Sequence, residues 1–504
     1  MKRKRSYSRV TRHALSILGK LIRIGRTERG MTAQELADRA GISRTTLYNI
    51  EKGAPGPEIG SVFEVAALVG VHLFEPDSRL LSMHDARLKE KLALIPQSVH
   101  RLFFTYGASY RNRKNAIPIY EPELPLRAGL IEPSNGLSMA NCIRDGSPDA
   151  WGRRVIINRL TGKKPDSDDI PNINELTFLL QSGSDRIGAL DFQASATEYI
   201  PRLAAEASLD EMQAAAERIE KGLPLTPTLE QALNHGTSIG GARPKAMIED
   251  GEKKFIAKFS ASNDLYSVVK AEFIAMRLAE QSGLNVAPVS LTRAAHKDVL
   301  LIERFDRIKS NSGWTRRAMV SALTMLGLDE MMARYASYEE LAEIIRHRFA
   351  DPKDTMKELY GRICFNILCG NTDDHARNHA AFWDGEMLSL TPAYDICPQG
   401  RTGNEASQAM LVKGDARFST LATCLAAAPD YHLSESQAAS IIEKQIKTIA
   451  KRWPDSCAEA DLSPTDRTLF AGRQFLNAYC LDGLDDNSKG LKDVFAQARA
   501  AIMA

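Results

Sequence analysis

The run Asn371-Thr372-Asp373-Asp374-His375-Ala376-Arg377-Asn378, with Asp395 downstream, constrains this chain more than any other segment, because its residues do chemistry only if the fold brings them together. Asp373 and Asn378 stand five apart. That is the separation, in a kinase catalytic loop, between the carboxylate that accepts a hydroxyl proton and the amide that holds a metal. Residues 380–383 and 386–390 flank Asp384-Gly385, a dipeptide suited to a tight two-residue turn, so the spacing predicts a β-hairpin. A hairpin returns the chain to its start and sets Asp395 beside Asn378. A carboxylate and an amide oxygen together suit Mg²⁺, a hard cation that prefers oxygen and keeps several waters. Asp and Asn also populate loops for turn geometry alone, so the pair takes its meaning from its context.

The context lies upstream. Ser238-Ile239-Gly240-Gly241 is a loop of small residues, and residues 245–249 and 252–259 read as a second hairpin around Asp250-Gly251, with Lys258 late on its second strand. Such a loop brings backbone N–H groups close to phosphate, and a strand lysine reaches phosphates as a point charge. No full G-x-G-x-x-G is present. Residues 264–282 then read as a helix ended by Gly283, with Val268, Phe273, Met276 and Leu278 apolar and Glu272 near its middle. Glu272 is the natural partner for Lys258. A strand Lys, a helix Glu, an Asp and Asn five apart and a later Asp follow one another in the order of a protein kinase.

The other end of the chain is chemically distinct. Residues 1–29 carry ten Lys or Arg against one acid, Glu28, whereas the whole chain has a net charge of only +2. That asymmetry points to a polyanion and reads as a basic arm. After it, Thr32 and Glu35 make a capping box, Gly41 breaks a first helix and Ser43 caps a second. Leu36, Ala37, Ala40, Ile42, Leu47 and Ile50 would fill a shared core. Arg44, Thr45, Thr46, Tyr48, Asn49 and Lys52 are left outward on the second helix. This pattern resembles a helix-turn-helix, and the resemblance implies that the second helix enters the major groove, where Arg44 would read guanine and Asn49 adenine, with Gln34 and Lys52 at phosphates and Ser43 at the helix start. Residues 58–70 read as a closing helix.

Composition sets the class. A 504-residue chain that is 44% hydrophobic and 25% charged is long enough for two or three cores and ordinary for a globular protein. No segment reaches the roughly 18 uninterrupted apolar residues of a membrane span, and no signal peptide is evident. Seven cysteines without a C-x-x-C pair fit a reducing compartment, so a cytoplasmic location is expected. His375 and His379 lie four apart, a spacing that could bind a transition metal, but no H-E-x-x-H occurs.

Four motifs suggest a family. Ser238-Ile239-Gly240-Gly241-Ala242, Leu301-Ile302-Glu303-Arg304-Phe305-Asp306-Arg307, Thr372 to Asn378 and Tyr394-Asp395-Ile396 closely resemble signatures of HipA-like toxin kinases. Leu124-Pro125-Leu126, Ser147-Pro148-Asp149-Ala150 and Arg186-Ile187-Gly188-Ala189 resemble that family's N-terminal subdomain. The resemblance covers about residues 80–500 and implies a bilobal Ser/Thr protein kinase fold using ATP and Mg²⁺. It implies Lys258 at the ATP phosphates with Glu272 as its partner, Gly240 and Gly241 in the phosphate loop, and backbone of Glu303 and Phe305 at adenine. Asp373 would be the base, Asn378 and Asp395 would hold Mg²⁺, and Ser238 would be the autophosphorylated serine that switches the kinase off. Arg243-Pro244 departs from the loop's usual Gln-Glu-like pair, and Pro244 removes one N–H donor. Residues 32–53 resemble the helix-turn-helix of Cro/C1-type (Xre) repressors, including HipB-like antitoxins.

The fold class expected is therefore multidomain α+β. Residues 1–76 would hold the basic arm and an all-α helix-turn-helix domain, 80–230 a HipA-like N-terminal subdomain, 230–434 the kinase core and 435–504 a helical C-terminal bundle. The implied partners are operator DNA with an inverted repeat, a second copy in a homodimer, and a protein substrate. By resemblance that substrate is an aminoacyl-tRNA synthetase or another translation component. Two other readings stay open: a small-molecule kinase, since antibiotic kinases also use Asp and Asn five apart, and a transcription factor whose kinase-like half senses a ligand.

Overall fold

A computed structural model describes residues 9–71, 101–161, 173–202, 207–226, 243–261, 264–311, 313–401, 403 and 405–504. The chain divides into two compact units, residues 1–97 with 342–357 and residues 98–341 with 358–504.

In the first unit, α1 (Arg9–Glu28), α2 (Ala33–Arg39), α3 (Arg44–Glu51) and α4 (Ile59–Leu68) enclose one apolar core of Ile22, Leu36, Ala37, Leu47, Ile50, Val65 and Leu68. The caps are where the sequence places them: Thr32 accepts from the Glu35 amide and Ser43 from the Thr46 amide. Thr32 and Glu35 form only half of a capping box, however. The Glu35 carboxylate turns away to accept from Arg39 at 3.0 Å, a charged donor that outcompetes a backbone N–H. The larger correction concerns the basic arm, since residues 9–28 of it are the helix α1. A Cβ on Gly19 would lie 2.5 Å from the Ile50 carbonyl oxygen, so α1 approaches α3 to backbone contact. Arg26 donates to Glu51 at 2.6 Å across the same seam. Residues 1–8 of the arm lie outside the described residues.

In the second unit, α5 (Ala150–Thr161), α6 (Glu175–Gln181) and α7 (Leu209–Glu220) precede a four-stranded antiparallel sheet. Its strands β1 (Lys245–Asp250), β2 (Lys253–Phe259), β3 (Val289–Ala294) and β4 (Lys297–Glu303) run in the order β1-β2-β4-β3. Between β2 and β3 lies α8 (Val268–Gln281), which begins four residues later than its periodicity suggests. Asp264 is diverted: its carboxylate takes two bonds from Arg243, at 2.6 and 3.0 Å, and one from the Ala261 amide. The ribbon β5 (Arg307–Ser310) and β6 (Gly313–Arg316) follows.

The smaller sheet β7 (Met319–Ser321), β8 (Ala380–Trp383) and β9 (Leu388–Leu390) is antiparallel, and β8 and β9 form the hairpin expected around Asp384-Gly385. Gly385 supplies the positive φ, +108°, that the turn requires. Helices α9 (Tyr338–Arg348) and α10 (Pro352–Cys369) precede the catalytic-type loop, and α11 (Leu421–Ala427), α12 (Glu435–Glu459), α13 (Pro464–Phe470) and α14 (Lys489–Met503) form the helical C-terminal part. All seven cysteines are free thiols. Among the described residues no helix is long and apolar enough to cross a membrane.

Candidate active site

Antiparallel pairing puts Lys245 of β1 directly opposite Lys258 of β2, so both side chains leave the same face of the sheet. Both are buried, and both line a cleft of about 680 Å³. From α8, Glu272 meets Lys258: its Oε1 accepts from Nζ at 2.6 Å, the pair expected from the sequence. Asp395 also accepts from Lys258 Nζ. One lysine charge thus serves two carboxylates. Burial opposes ionisation of Asp395, but the Lys258 and Lys245 charges prevail and hold it well below the usual carboxylate range. Burial pushes Glu272 upward despite Lys258, while its two carboxylate neighbours keep the proton on Lys258 and raise it. For Lys245, burial and the adjacent Lys258 charge lower the pKa to about 8.

Asp395 adopts φ +60°, a left-handed conformation that a non-glycine residue holds only when its surroundings fix it. They do so through the Asn371 side chain, which donates to the Asp395 carbonyl at 3.4 Å, and the salt bridge to Lys258. Functional sites are where such strain collects.

The catalytic-type loop is anchored from behind. Asp374 is buried and accepts from Asn366 Nδ2 at 2.7 Å, from the Tyr338 hydroxyl and from His379 Nε2 at 2.9 Å. Asp373 itself is exposed, beside a cleft that its loop neighbours His375 and Asn378 line. Partial loss of solvation raises the Asp373 pKa, and the Asp395 and Asp374 charges add to it against the opposing pull of His375. Asn378 donates to the Asp373 carbonyl at 3.2 Å, which ties the two ends of the five-residue spacing together. Its amide oxygen is left for another partner.

His375 and His379 do not converge, since His379 is committed to Asp374 and Tyr338 whereas His375 lines the cleft. Among the described residues no group of three His, Cys, Asp or Glu could hold a metal. The two oxygen donors Asn378 and Asp395 are a sparse set, as Mg²⁺ requires when it keeps water and ligand oxygens. Glu303 and Phe305 line the other wall. The Glu303 amide is given to the Pro288 carbonyl at 2.9 Å, and the Phe305 ring sits between Phe382 and Tyr394 at 5.8 and 5.7 Å. Ser238, Gly240 and Gly241 lie outside the described residues.

Several cleft residues were not singled out from the sequence. In the sequence Lys245 is marked only as the start of a strand. Asp149 and Glu330 both receive Arg377, whose Nη1 lies 2.8 Å from Asp149, and all three line the cleft. Buried Arg304 and Arg307 reach back to the Arg186 carbonyl and to Asp306, while Asp306 accepts from the Gly188 amide at 2.8 Å. The motifs 186–189 and 301–307 are therefore two halves of one ionic joint. The signal was present in their motif status, but spacing alone gave no reason to pair segments over 100 residues apart.

In the first unit Arg44, Thr45, Tyr48, Asn49 and Lys52 of the α3 region are exposed and Thr46 is half-buried, as expected of a face that reads DNA. Lys52 lies over the Tyr48 ring at 5.6 Å. Ser43 is engaged as the cap, and exposed Gln34 donates to Asp38 at 3.1 Å.

Residues 237–453 match the family described as the HipA-like C-terminal domain, and residues 22–75 match the helix-turn-helix family. Among curated relatives, a putative kinase Y4mE of Sinorhizobium fredii is 26% identical over 313 residues, 58% of this chain and 71% of that protein. The serine/threonine-protein kinase toxin HipA of Shewanella oneidensis is 27% identical over 186 residues, 32% of this chain and 42% of that protein. Among solved structures, the Shewanella oneidensis HipA, HipB and operator DNA complex includes a chain with TM-score 0.49 and 20% identity, covering 81% of this chain and 92% of that one. By these family matches the chain carries a helix-turn-helix domain over residues 22–75 and a HipA-like C-terminal domain over residues 237–453.

Proposed function

We propose that the second unit is an ATP- and Mg²⁺-dependent serine/threonine protein kinase of toxin-antitoxin type, and that the helix-turn-helix domain binds operator DNA and represses the chain's own promoter. The observation that carries the catalytic half is Lys258 held between Glu272 and Asp395 in a cleft that Asn378 also lines, with Asp373 exposed on the same loop as Asn378. A cleft of about 680 Å³ falls within the range of sites for small ligands and cofactors.

In this reading Lys258 and Lys245 neutralise nucleotide phosphates, with Gly240 and Gly241 in the loop above them. The backbone of Glu303 and Phe305 orients the adenine. Asp373 accepts the proton from the acceptor hydroxyl; its raised pKa suits a base more than that of an ordinary surface carboxylate would. Asn378 and Asp395 would hold Mg²⁺, which neutralises charge on the transferred group when bound. Ser238 is the proposed autophosphorylation site. A phosphate there adds nearly two negative charges where nucleotide phosphates must sit, and so switches the kinase off.

The division proposed is residues 1–76 for DNA binding, 80–230 for the N-terminal subdomain, 230–434 for the kinase core and 435–504 for the C-terminal bundle. A cytoplasmic homodimer on an inverted repeat completes the reading, with a translation component such as an aminoacyl-tRNA synthetase as the substrate class that the family likeness suggests. Phosphoproteomics of cells expressing wild type against Asp373→Asn tests it. Serine or threonine sites on proteins that appear only with the wild type are expected. Identical phosphoproteomes, with both proteins folded and expressed, would refute the protein-kinase reading.

A further inference from the structure

We propose that the 3-10 turn Glu330–Tyr335 and the adjacent loop 407–418 form a docking ledge for the polypeptide that presents the acceptor hydroxyl, with Met331 and Phe418 receiving a large apolar side chain of that segment. The proposal rests on the protein-kinase reading and specifies its substrate.

The geometry of the turn separates two faces. A 3-10 helix has three residues per turn, so Glu330 and Ala333 share one face while Met331 and Arg334 share the next. Glu330 and Ala333 line the cleft, and Glu330 is fixed to the catalytic-type loop by Arg377. Met331 is thereby turned out of the cleft and onto its rim, where it is 73% exposed. Asp329 caps the turn by accepting from the Met331 amide, which holds Met331 at the first step of the turn.

The loop 407–418 is joined to the same element. Arg417 Nη2 donates to the Arg334 carbonyl at 2.7 Å, the Leu411 amide to the Ala336 carbonyl at 2.8 Å, and the Tyr338 amide to the Leu411 carbonyl at 2.9 Å. Phe418, which follows Arg417, is 54% exposed. A single exposed apolar side chain needs no explanation. Here two large ones stand on segments that are hydrogen-bonded to each other, and one of those segments is also the wall of the cleft. Through Glu330 and Arg377 the ledge is tied to the loop that carries Asp373, so its occupant is the chain that presents the hydroxyl to that residue. A small-molecule acceptor would end inside the cleft and leave the ledge bare.

The test uses the full chain with a positional-scanning library of serine- and threonine-containing peptides and labelled ATP. The wild type is expected to prefer a large apolar residue at a fixed offset from the phosphorylated hydroxyl. In Met331→Glu and Phe418→Glu that preference should vanish and KM for the preferred peptide should rise about tenfold at unchanged kcat, the signature of lost ground-state binding. Both residues are exposed, so peptide-independent ATP hydrolysis in the variants should match wild type and reports that the fold and nucleotide site are intact. Peptide phosphorylation with no apolar preference, or a preference that survives both substitutions, would overturn the ledge while leaving the kinase reading standing. Absence of any transfer or hydrolysis by the wild type would remove that reading, and the ledge with it.

Discussion

Charge on one buried lysine sets a testable property of the nucleotide site. Lys245 stands beside Lys258 with its pKa lowered to about 8, so in the free protein it carries its charge below that pH and loses it above. If Lys245 helps to hold phosphates, nucleotide affinity should weaken as pH rises from about 7 to about 9, whereas Lys245→Met should bind more weakly at the lower pH and show a flatter dependence. Calorimetric titration with an ATP analogue across that window decides it. Equal pH dependence in both proteins would take Lys245 out of phosphate binding. At this scale the Lys258–Glu272 pair was legible from strand and helix position, and the spacing of Asn378 and Asp395 pointed to two residues that line one cleft, whereas Asp373 stands exposed outside its lining. Lys245 was not, because only the strand register reveals which residue stands opposite Lys258.

Elements were readable where local chemistry fixes them and obscure where tertiary contacts do. The ends of α2 and α3 follow from Thr32 and Ser43, whose caps need only neighbouring amides. Helix α1 was hidden by its charge: its buried face is set by Gly19 and Ile22 against α3, while Lys20 and Arg23 project outward. Arg39 was equally opaque. Fully buried at the end of α2, it donates to the carbonyls of Arg346 and Phe349 at 2.5 and 3.0 Å within the first unit, and so caps the last turn of α9. Arg39→Ala leaves those buried carbonyls without their charged donor and should cost about 3 kcal/mol, read as a lowered Tm of the full chain. An unchanged Tm would show that the cap contributes nothing.

The same unit carries the DNA prediction. Exposed Arg44 at the start of α3 should read one base, so Arg44→Ala should cost about 1–3 kcal/mol at a single operator position and relax discrimination there. Deleting residues 1–9 should instead flatten the dependence of affinity on salt with little change in preferred site, since phosphate contacts release counterions without reading sequence. Footprinting and salt titrations separate the two effects. Equal weak binding to all sequences by the wild type would end the repressor assignment.

For the whole molecule, the order of segments along the chain was more legible than the joints between them. The hairpins at 250–251 and 384–385 and the helix bearing Glu272 appear where periodicity and turn chemistry set them, apart from the late start of α8. The ionic joint of Asp185, Arg186, Arg304, Asp306 and Arg307, which closes the cleft wall, depends on contacts across more than 100 residues and had no local signature. The central claim is that these segments converge to make Asp373 the base of a phosphotransferase. Its most direct test is transfer of label from γ-labelled ATP by the full chain, with Mg²⁺, to protein, comparing wild type with Asp373→Asn. The account predicts transfer by the wild type and its loss, by a factor of about 10² or more, in a variant of unchanged Tm. Undiminished transfer by a folded Asp373→Asn protein would contradict it.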